Sequence, residues 1–199
     1  MIITSMGEAS VRLGQHIPVK NYWRRLVTRA AVTVILRNSA TDGGIETLMI
    51  RRALREGDPW SGHMAFPGGR LQDEDPDVYA AAIRELEEEI GLPAPGYLSY
   101  LGRLSDTLTR RHDDQAMPMV VTPFVFKLER EPEQLYPNHE VAEIVWAPLP
   151  FLADYDNREI MYWHRNGEDV ELPCYFYEDR RIWGLSLRML DELIELFRR

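Results

Sequence analysis

Residues 84–92 read Arg-Glu-Leu-Glu-Glu-Glu-Ile-Gly-Leu, and residues 66–69 read Phe-Pro-Gly-Gly. On a helix, Glu85, Glu88 and Glu89 stand at i, i+3 and i+4 and are side-chain neighbours on one face, set away from Ile83 and Ile90. Like charges at that spacing destabilise a helix unless something positive sits among them. Hard oxygen donors of this kind suit Mg²⁺ or Mn²⁺, which take carboxylates, carbonyls, water and substrate phosphates. Arg84 lies four residues before Glu88 and could orient one carboxylate while leaving the others free. Gly68 and Gly69 let the backbone come close and could turn a carbonyl toward the ion. The alternative is a solvated acidic face with no ion.

The helix that must carry these glutamates has its own start and stop. Asp75, Pro76 and Asp77 place carboxylates and a first-turn proline at the positive end of the dipole. Tyr79, Ala82, Ile83, Leu86 and Ile90 predict one broad apolar face, and Gly91 with Pro93 ends the helix. Around it, 29–38, 46–53, 97–106, 119–129 and 140–149 read as strands. Asp42, Gly43 and Gly44 turn the first pair into a hairpin. Pro123 predicts an edge or a bulge. Two further strands flank Asn166 and Gly167, and Leu187, Leu190, Leu193, Ile194 and Phe197 form a closing helical stripe. Strands interleaved with helices give a mixed α/β domain with helices packed on a sheet.

The chain has 199 residues, 45% apolar and 28% charged, with a formal net charge of −9. That size fits one domain with a substantial core. The acidic balance argues against nucleic acid and anionic membranes as partners, since a basic face supplies most of such affinity. It does not exclude a phosphate substrate held by metal ions and a few arginines. Cys174, the single cysteine, has no partner for a disulfide and reads as a packing residue. The first residues lack a signal-peptide core, and the apolar run 30–36 is far too short to span a bilayer. A soluble cytoplasmic protein is the expectation, and a homodimer is compatible with it.

The stretch 69–92 resembles the Nudix box: Gly, five residues, Glu, seven residues, Arg-Glu, an aliphatic residue, any residue, Glu-Glu, any residue, Gly and an aliphatic residue. Residues 84–92 fit its second half throughout. In the first half Asp75 stands where the pattern has Glu, and eight residues rather than seven separate it from Arg84. The resemblance implies a Nudix-like α/β/α sandwich with a mixed β-sheet and a loop-helix-loop catalytic motif. The single domain would comprise an N-terminal extension to about residue 26, the box at 66–92 and a C-terminal helix at 184–199. It implies hydrolysis of a nucleoside diphosphate-linked small molecule, with Glu85, Glu88 and Glu89, and often the Gly68 carbonyl, holding Mg²⁺ or Mn²⁺. Arg84 belongs to the same catalytic group, and Glu85 or Glu89 could orient the water. The general base is left open among Glu140, Glu143, His112, Asp113 and Asp114.

Upstream, Gly62 and Phe66-Pro67-Gly68-Gly69 match the segment that precedes the box in coenzyme A pyrophosphatase-type Nudix enzymes. Arg52-Ala53 and Arg55 match it with displaced spacing. Coenzyme A or its derivatives are therefore the expected substrates. Nucleoside diphosphate sugars, dinucleotides and nucleotide triphosphates are the alternatives, and a non-catalytic ligand-binding module is a third reading. Arg51, Arg52, Arg55, Arg110 and Arg111 are candidates for phosphate oxygens. Trp60 is a candidate for a base and His63 for a phosphate, whereas Trp146 and Trp163 read as core.

Overall fold

The computed structural model describes residues 5–40, 44–57, 60–109, 118–165 and 167–198. Helix α1 (Met6–Gln15) and a 3₁₀ turn (Tyr22–Arg25) precede strands β1 (Thr28–Asn38), β2 (Ile45–Arg52), β3 (Met64–Ala65) and β4 (Gly68–Arg70). Helix α2 (Val78–Ile90) follows, then β5 (Leu98–Arg103), β6 (Thr107–Leu108), β7 (Met119–Leu128) and β8 (Val141–Pro148). The chain closes with α3 (Leu149–Ala153), β9 (Arg158–Arg165), β10 (Glu168–Tyr177), β11 (Arg180–Trp183) and α4 (Gly184–Arg198).

β1 is the axis of the larger sheet. Its run of Ala, Val, Ile and Leu is buried on both faces, as expected for a strand covered by helices on either side. It pairs parallel with β7 from Thr28↔Met119 to Leu36↔Lys127, and the remaining pairings are antiparallel, so the sheet is mixed. Toward α2, Ala31, Ile35, Leu48, Ile50, Phe124 and Phe126 pack against Ala82, Leu86 and Ile90. On the opposite face, Val34, Leu36, Met49 and Val125 meet Leu13 of α1 and Leu187, Leu190, Leu193 and Phe197 of α4. The α/β/α sandwich is therefore built from two cores that share one sheet. β9, β10 and β11 form a second, three-stranded antiparallel sheet, in which Cys174 is fully buried beside Met161 and Trp183.

The feature that positions the site is a split in the first hairpin. β1 and β2 pair only from Leu36↔Thr47 to Asn38↔Ile45 and then diverge. The segment from β3 through Pro67 to β4 fills the gap, with β3 on β2 and β4 on β1. Thr33 N–H donates to the Pro67 carbonyl (2.8 Å), which locks the wedge in place.

Three local expectations need correction. Pro123 lies in an interior strand, not at an edge. Leu104 N–H donates to its carbonyl, so its missing N–H faces the same side, where β5 ends at Arg103↔Phe124 and β6 has not yet begun at Thr107↔Val121. The bulge is in β5, between Tyr100 and Gly102. Pro76 precedes the helix instead of opening it: Asp77 is the N-cap, accepting from Ala80 N–H at 2.9 Å. Tyr79 leaves the core face, 39% exposed among Tyr100, Phe124 and Phe126. The hairpin turn at Asp42-Gly43 and the turn residue Asn166 lie outside the described residues.

Gly68 is pressed so close to β1 that an added Cβ would sit 2.2 Å from the Ala31 carbonyl oxygen, at a φ of +149°. Gly68→Ala should therefore cost about 3 kcal/mol or more, because backbone rather than a flexible side chain must move. Urea denaturation of the variant checks this as a fall in midpoint at an unchanged slope.

Candidate active site

The wedge delivers two glycines to the buried side of α2. Glu89 is only 4% exposed, and its Oε2 accepts a hydrogen bond from Gly68 N–H at 2.8 Å. Glu85 lies one turn earlier, and a Cβ on Gly69 would sit 2.3 Å from its carboxylate. Gly69 is thus required by close approach: the carboxylate fills the space a side chain would take. Glu88 is the outer member, its side chain 55% exposed. The three glutamates form a gradient from core to solvent, not the uniformly outward face that their spacing suggests. Glu89 sits beside Leu86 and Ile90 because an i, i+3, i+4 trio spans about a third of the helix circumference.

Arg84 ties this surface to the preceding loop. Its Nε donates to Asp75 Oδ1 (3.0 Å) and its Nη2 to Asp75 Oδ2 (2.9 Å), a bidentate pair. Nη1 reaches Glu85 (3.0 Å) and Glu88 (3.1 Å), and Nη2 also meets the Arg70 carbonyl (3.2 Å). Asp75, shorter than Glu and one residue further away in sequence, still meets the guanidinium. The Arg84 contact holds the Asp75 carboxyl below the usual carboxylate range. Helix, loop and β4 are joined through one cation.

Burial pushes Glu89 up to about 7, a shift opposed by the Gly68 N–H and by Arg52 and reinforced by Glu85 and Glu140. Burial also raises Glu85, against Arg84 and with Glu88 and Glu140. Glu140, at the entrance to β8, therefore belongs to the same electrostatic cluster as the helix glutamates. It pairs with Arg55 (3.2 Å), whose backbone is braced by hydrogen bonds in both directions with Ser61 Oγ. Glu143 is directed elsewhere: Arg180 binds it and holds its carboxyl low.

The adjacent arginines of β2 part company because successive strand residues point to opposite faces. Arg52 shares the α2 side with Leu48 and Ile50, and its charge is felt by Glu89. Arg51 points to the other side and pairs with Asp179 at 3.3 Å. Trp60 and His63 join Trp163 and Trp183 in an aromatic cluster. The Trp60 and Trp163 rings are parallel within 5° at 6.2 Å between centroids, and His63 meets Trp183 edge-on at 5.1 Å. Trp163 is half-buried and packs against the small core of Met161, Cys174 and Trp183, and Trp146 is half-buried against the α2-side core, beneath the Arg37 guanidinium at 3.9 Å from its ring centroid. Arg110, Arg111, His112, Asp113 and Asp114 lie outside the described residues.

Among the described residues, no three His, Cys, Asp or Glu side chains are gathered as closely as a bound ion would require. Arg84 draws Glu85 and Glu88 outward while Gly68 holds Glu89. The donor set nonetheless fits a hard cation: two carboxylates face one glycine pair, and one of them is buried with a single hydrogen-bond donor opposite it.

Ionised Glu89 costs folding free energy. Its folded value is raised above that of an unfolded carboxylate, so the penalty is absent below pH 4.5 and complete above about 7. In chelator, Glu89→Gln should raise the melting temperature at pH 8, relieving up to about 3 kcal/mol. The gain should vanish at pH 4.5, which thermal melts across this range will read directly.

Comparison with known proteins agrees with this geometry. The NUDIX domain family model matches residues 27–169. The human mitochondrial coenzyme A diphosphatase NUDT8 is 29% identical over 86% of this chain and 72% of its own length. The uncharacterized Nudix hydrolase NudL of Escherichia coli is 29% identical over 67% of this chain and 66% of its own. Among solved structures, a C. elegans Ap4A hydrolase binary complex is similar with a TM-score of 0.51 and 26% identity, covering 62% of this chain and 82% of that one. A NUDIX hydrolase from Alicyclobacillus acidocaldarius shares the fold, with a TM-score of 0.55 and 18% identity over 85% of this chain and 91% of that one. Matched over most of its length and carrying the glycine-braced glutamates of the box, the chain belongs to the Nudix family as a pyrophosphohydrolase.

Proposed function

We propose that the enzyme uses Mg²⁺ or Mn²⁺ to split the pyrophosphate of coenzyme A or a derivative into adenosine 3′,5′-bisphosphate and a phosphopantetheine. The alignment with a coenzyme A diphosphatase along 86% of the chain carries the choice of substrate. Glu85, Glu88, Glu89 and the Gly68 carbonyl would hold the ion, which when bound neutralises charge developing on the phosphoryl oxygens. Arg84 positions Glu85 and Glu88 through its anchor on Asp75.

In the reaction a water oxygen bonds to phosphorus, the bridging P–O bond breaks, and one proton leaves the water. Glu140 is the group assigned to accept that proton: it is partly exposed, and its field reaches both Glu85 and Glu89. Arg52 and Arg55, which lie near Glu140, are the arginines we propose for the phosphate oxygens. Arg51 is the weaker candidate because it points to the other face of β2, toward Asp179. Trp60 and His63 present an aromatic surface next to Arg52, suited to a base or to the organic part of the substrate. α1 and α4 share a core with the sheet, which supports one domain for the whole chain. No helix among the described residues is long and apolar enough to cross a membrane.

The likeness to an Ap4A hydrolase favours a second reading, a dinucleoside polyphosphate substrate. A product assay on coenzyme A, acetyl-coenzyme A, diadenosine tetraphosphate, ADP-ribose, NADH, a UDP-sugar and GTP, with Mg²⁺ and with Mn²⁺, separates the two. Coenzyme A is expected to lead the panel. Glu88→Gln and Glu89→Gln should each lower kcat by about 10² or more. Glu140→Gln should lower kcat by about 10²–10⁴ while leaving the metal dependence in place. Preference for diadenosine tetraphosphate, with the same losses in the variants, would move the substrate and keep the site.

A further inference from the structure

The segment between α1 and β1 gathers cations on an acidic chain. Lys20, Arg24, Arg25 and Arg29, with Val27, wall a cleft of about 570 Å³. The segment is pinned to the sheet. Asp106 N–H donates to the Val19 carbonyl (2.9 Å), Val19 N–H to Ser105 Oγ (2.9 Å), and Asn21 N–H to Asp106 Oδ2 (2.9 Å). Asp106, whose side chain is fully buried, is the carboxylate that ties these groups to the sheet, and Arg29 also feels the charge of Asp77 at the start of α2. It is shared by Arg103, by Arg24 at 3.6 Å and by the Thr122 hydroxyl at 2.7 Å. Lys20, Arg25 and Arg29 form no ion pair among the described residues. Burial and the like charges of Arg24 and Arg103 disfavour the charged form of Arg29 by more than Asp106 and Asp77 favour it. Like charges held this close are stabilised when an anion enters.

The position of the cleft says which anion. Arg29 shares the α2 side of β1 with Ala31, which pairs with Gly69. Two strand residues separate their levels, about 7 Å. A second phosphate on the nucleoside end of a diphosphate-linked substrate would lie within that reach when its pyrophosphate meets the glutamates. We propose that Lys20, Arg24, Arg25 and Arg29 bind a phosphate monoester of the substrate, remote from the bond that is cut, and so select the 3′-phosphorylated nucleotide. This deepens the coenzyme A reading above and rests on it. Arginine forks and a lysine suit a dianionic monoester better than any neutral ribose hydroxyl. Tyr22, Trp23 and Leu26 are exposed nearby, but the cations line a concavity, and a chain of net charge −9 is repelled by an anionic bilayer.

Two measurements test this. The first is the ratio of kcat/KM for coenzyme A to that for dephospho-coenzyme A. The second is an equilibrium titration with adenosine 3′,5′-bisphosphate and with AMP. Wild type, Arg29→Gln and the double variant Lys20→Gln/Arg25→Gln are compared; the double variant alters only exposed side chains and keeps the fold. The expected result is a ratio of tenfold or more, expressed mainly in KM, that falls toward one in both variants. The bisphosphate should bind tighter than AMP only in wild type. If coenzyme A is hydrolysed with a preference that the variants leave intact, the cleft assignment is overturned and the proposed function survives. If coenzyme A is not hydrolysed but the variants still abolish bisphosphate preference, the cleft stands and the substrate reading falls. Absence of any bisphosphate preference, with co-sedimentation on phosphatidylglycerol vesicles that the variants abolish, would overturn the proposal in favour of a membrane-docking surface.

Discussion

The site hangs on one contact, the hydrogen bond from Gly68 N–H to the buried carboxylate of Glu89. It joins two parts of the chain that have no local reason to meet: a two-glycine corner wedged into a split hairpin, and the last turn of an amphipathic helix. On one side, Gly68 lies so tightly on Ala31 and Val32 that only glycine fits. On the other, Leu86 and Ile90 are fully buried and fix the rotation of α2. Glu89 is thereby carried into low dielectric, where a negative charge is unfavourable unless a cation answers it. The buried charge is a standing demand for a positive partner, and the chain's own donors meet only part of it.

Arg84 answers for the outer carboxylates, not for Glu89. Its fork is occupied by Asp75 and its remaining donors by Glu85, Glu88 and the Arg70 carbonyl. This division gives the site two electrostatic layers. The solvent-side layer is neutralised within the protein and braces the loop to the helix. The inner layer is Glu89, whose burial is answered only by the Gly68 N–H and the charge of Arg52, while Glu85 and Glu140 add to the negative field around it, beside backbone that carries no side chain. A divalent ion and a polyphosphate complement such a layer together, since neither alone balances both the carboxylates and the nearby arginines.

Much of this was legible in the sequence, and the reasons differ from element to element. Strand runs and the α2 periodicity survive because burial on a sheet or helix face imposes a period on residue type. The box was legible because its chemistry needs fixed residue types at fixed helical spacing. Glu89's burial was not, since spacing places three glutamates on a face without saying how that face is turned to the sheet. The separation of Arg51 from Arg52 follows from strand alternation, a signal that the sequence carries once the strand is known to run through both residues. Pro123 misled because an interior proline is tolerated where its neighbouring strand is interrupted, and that interruption is set by chain segments far away in sequence. The cationic cleft was hidden for the same reason. Lys20, Arg24 and Arg25 read as part of an extension and Arg29 as the start of a strand until Asp106, from the connection between β5 and β6, brings them together.

The glycine-braced pair Glu85 and Glu89 is the proposed seat for a divalent cation. Titration of Mn²⁺ followed by electron paramagnetic resonance tests it most directly, because free and bound ion are distinguished without any substrate. Saturable binding to the wild-type protein, weakened tenfold or more in both Glu85→Gln and Glu89→Gln while each variant remains folded, is the predicted result. Equal Mn²⁺ binding in wild type and both variants, or none in any of them, would contradict it and leave α2 an acidic helix braced only by Arg84.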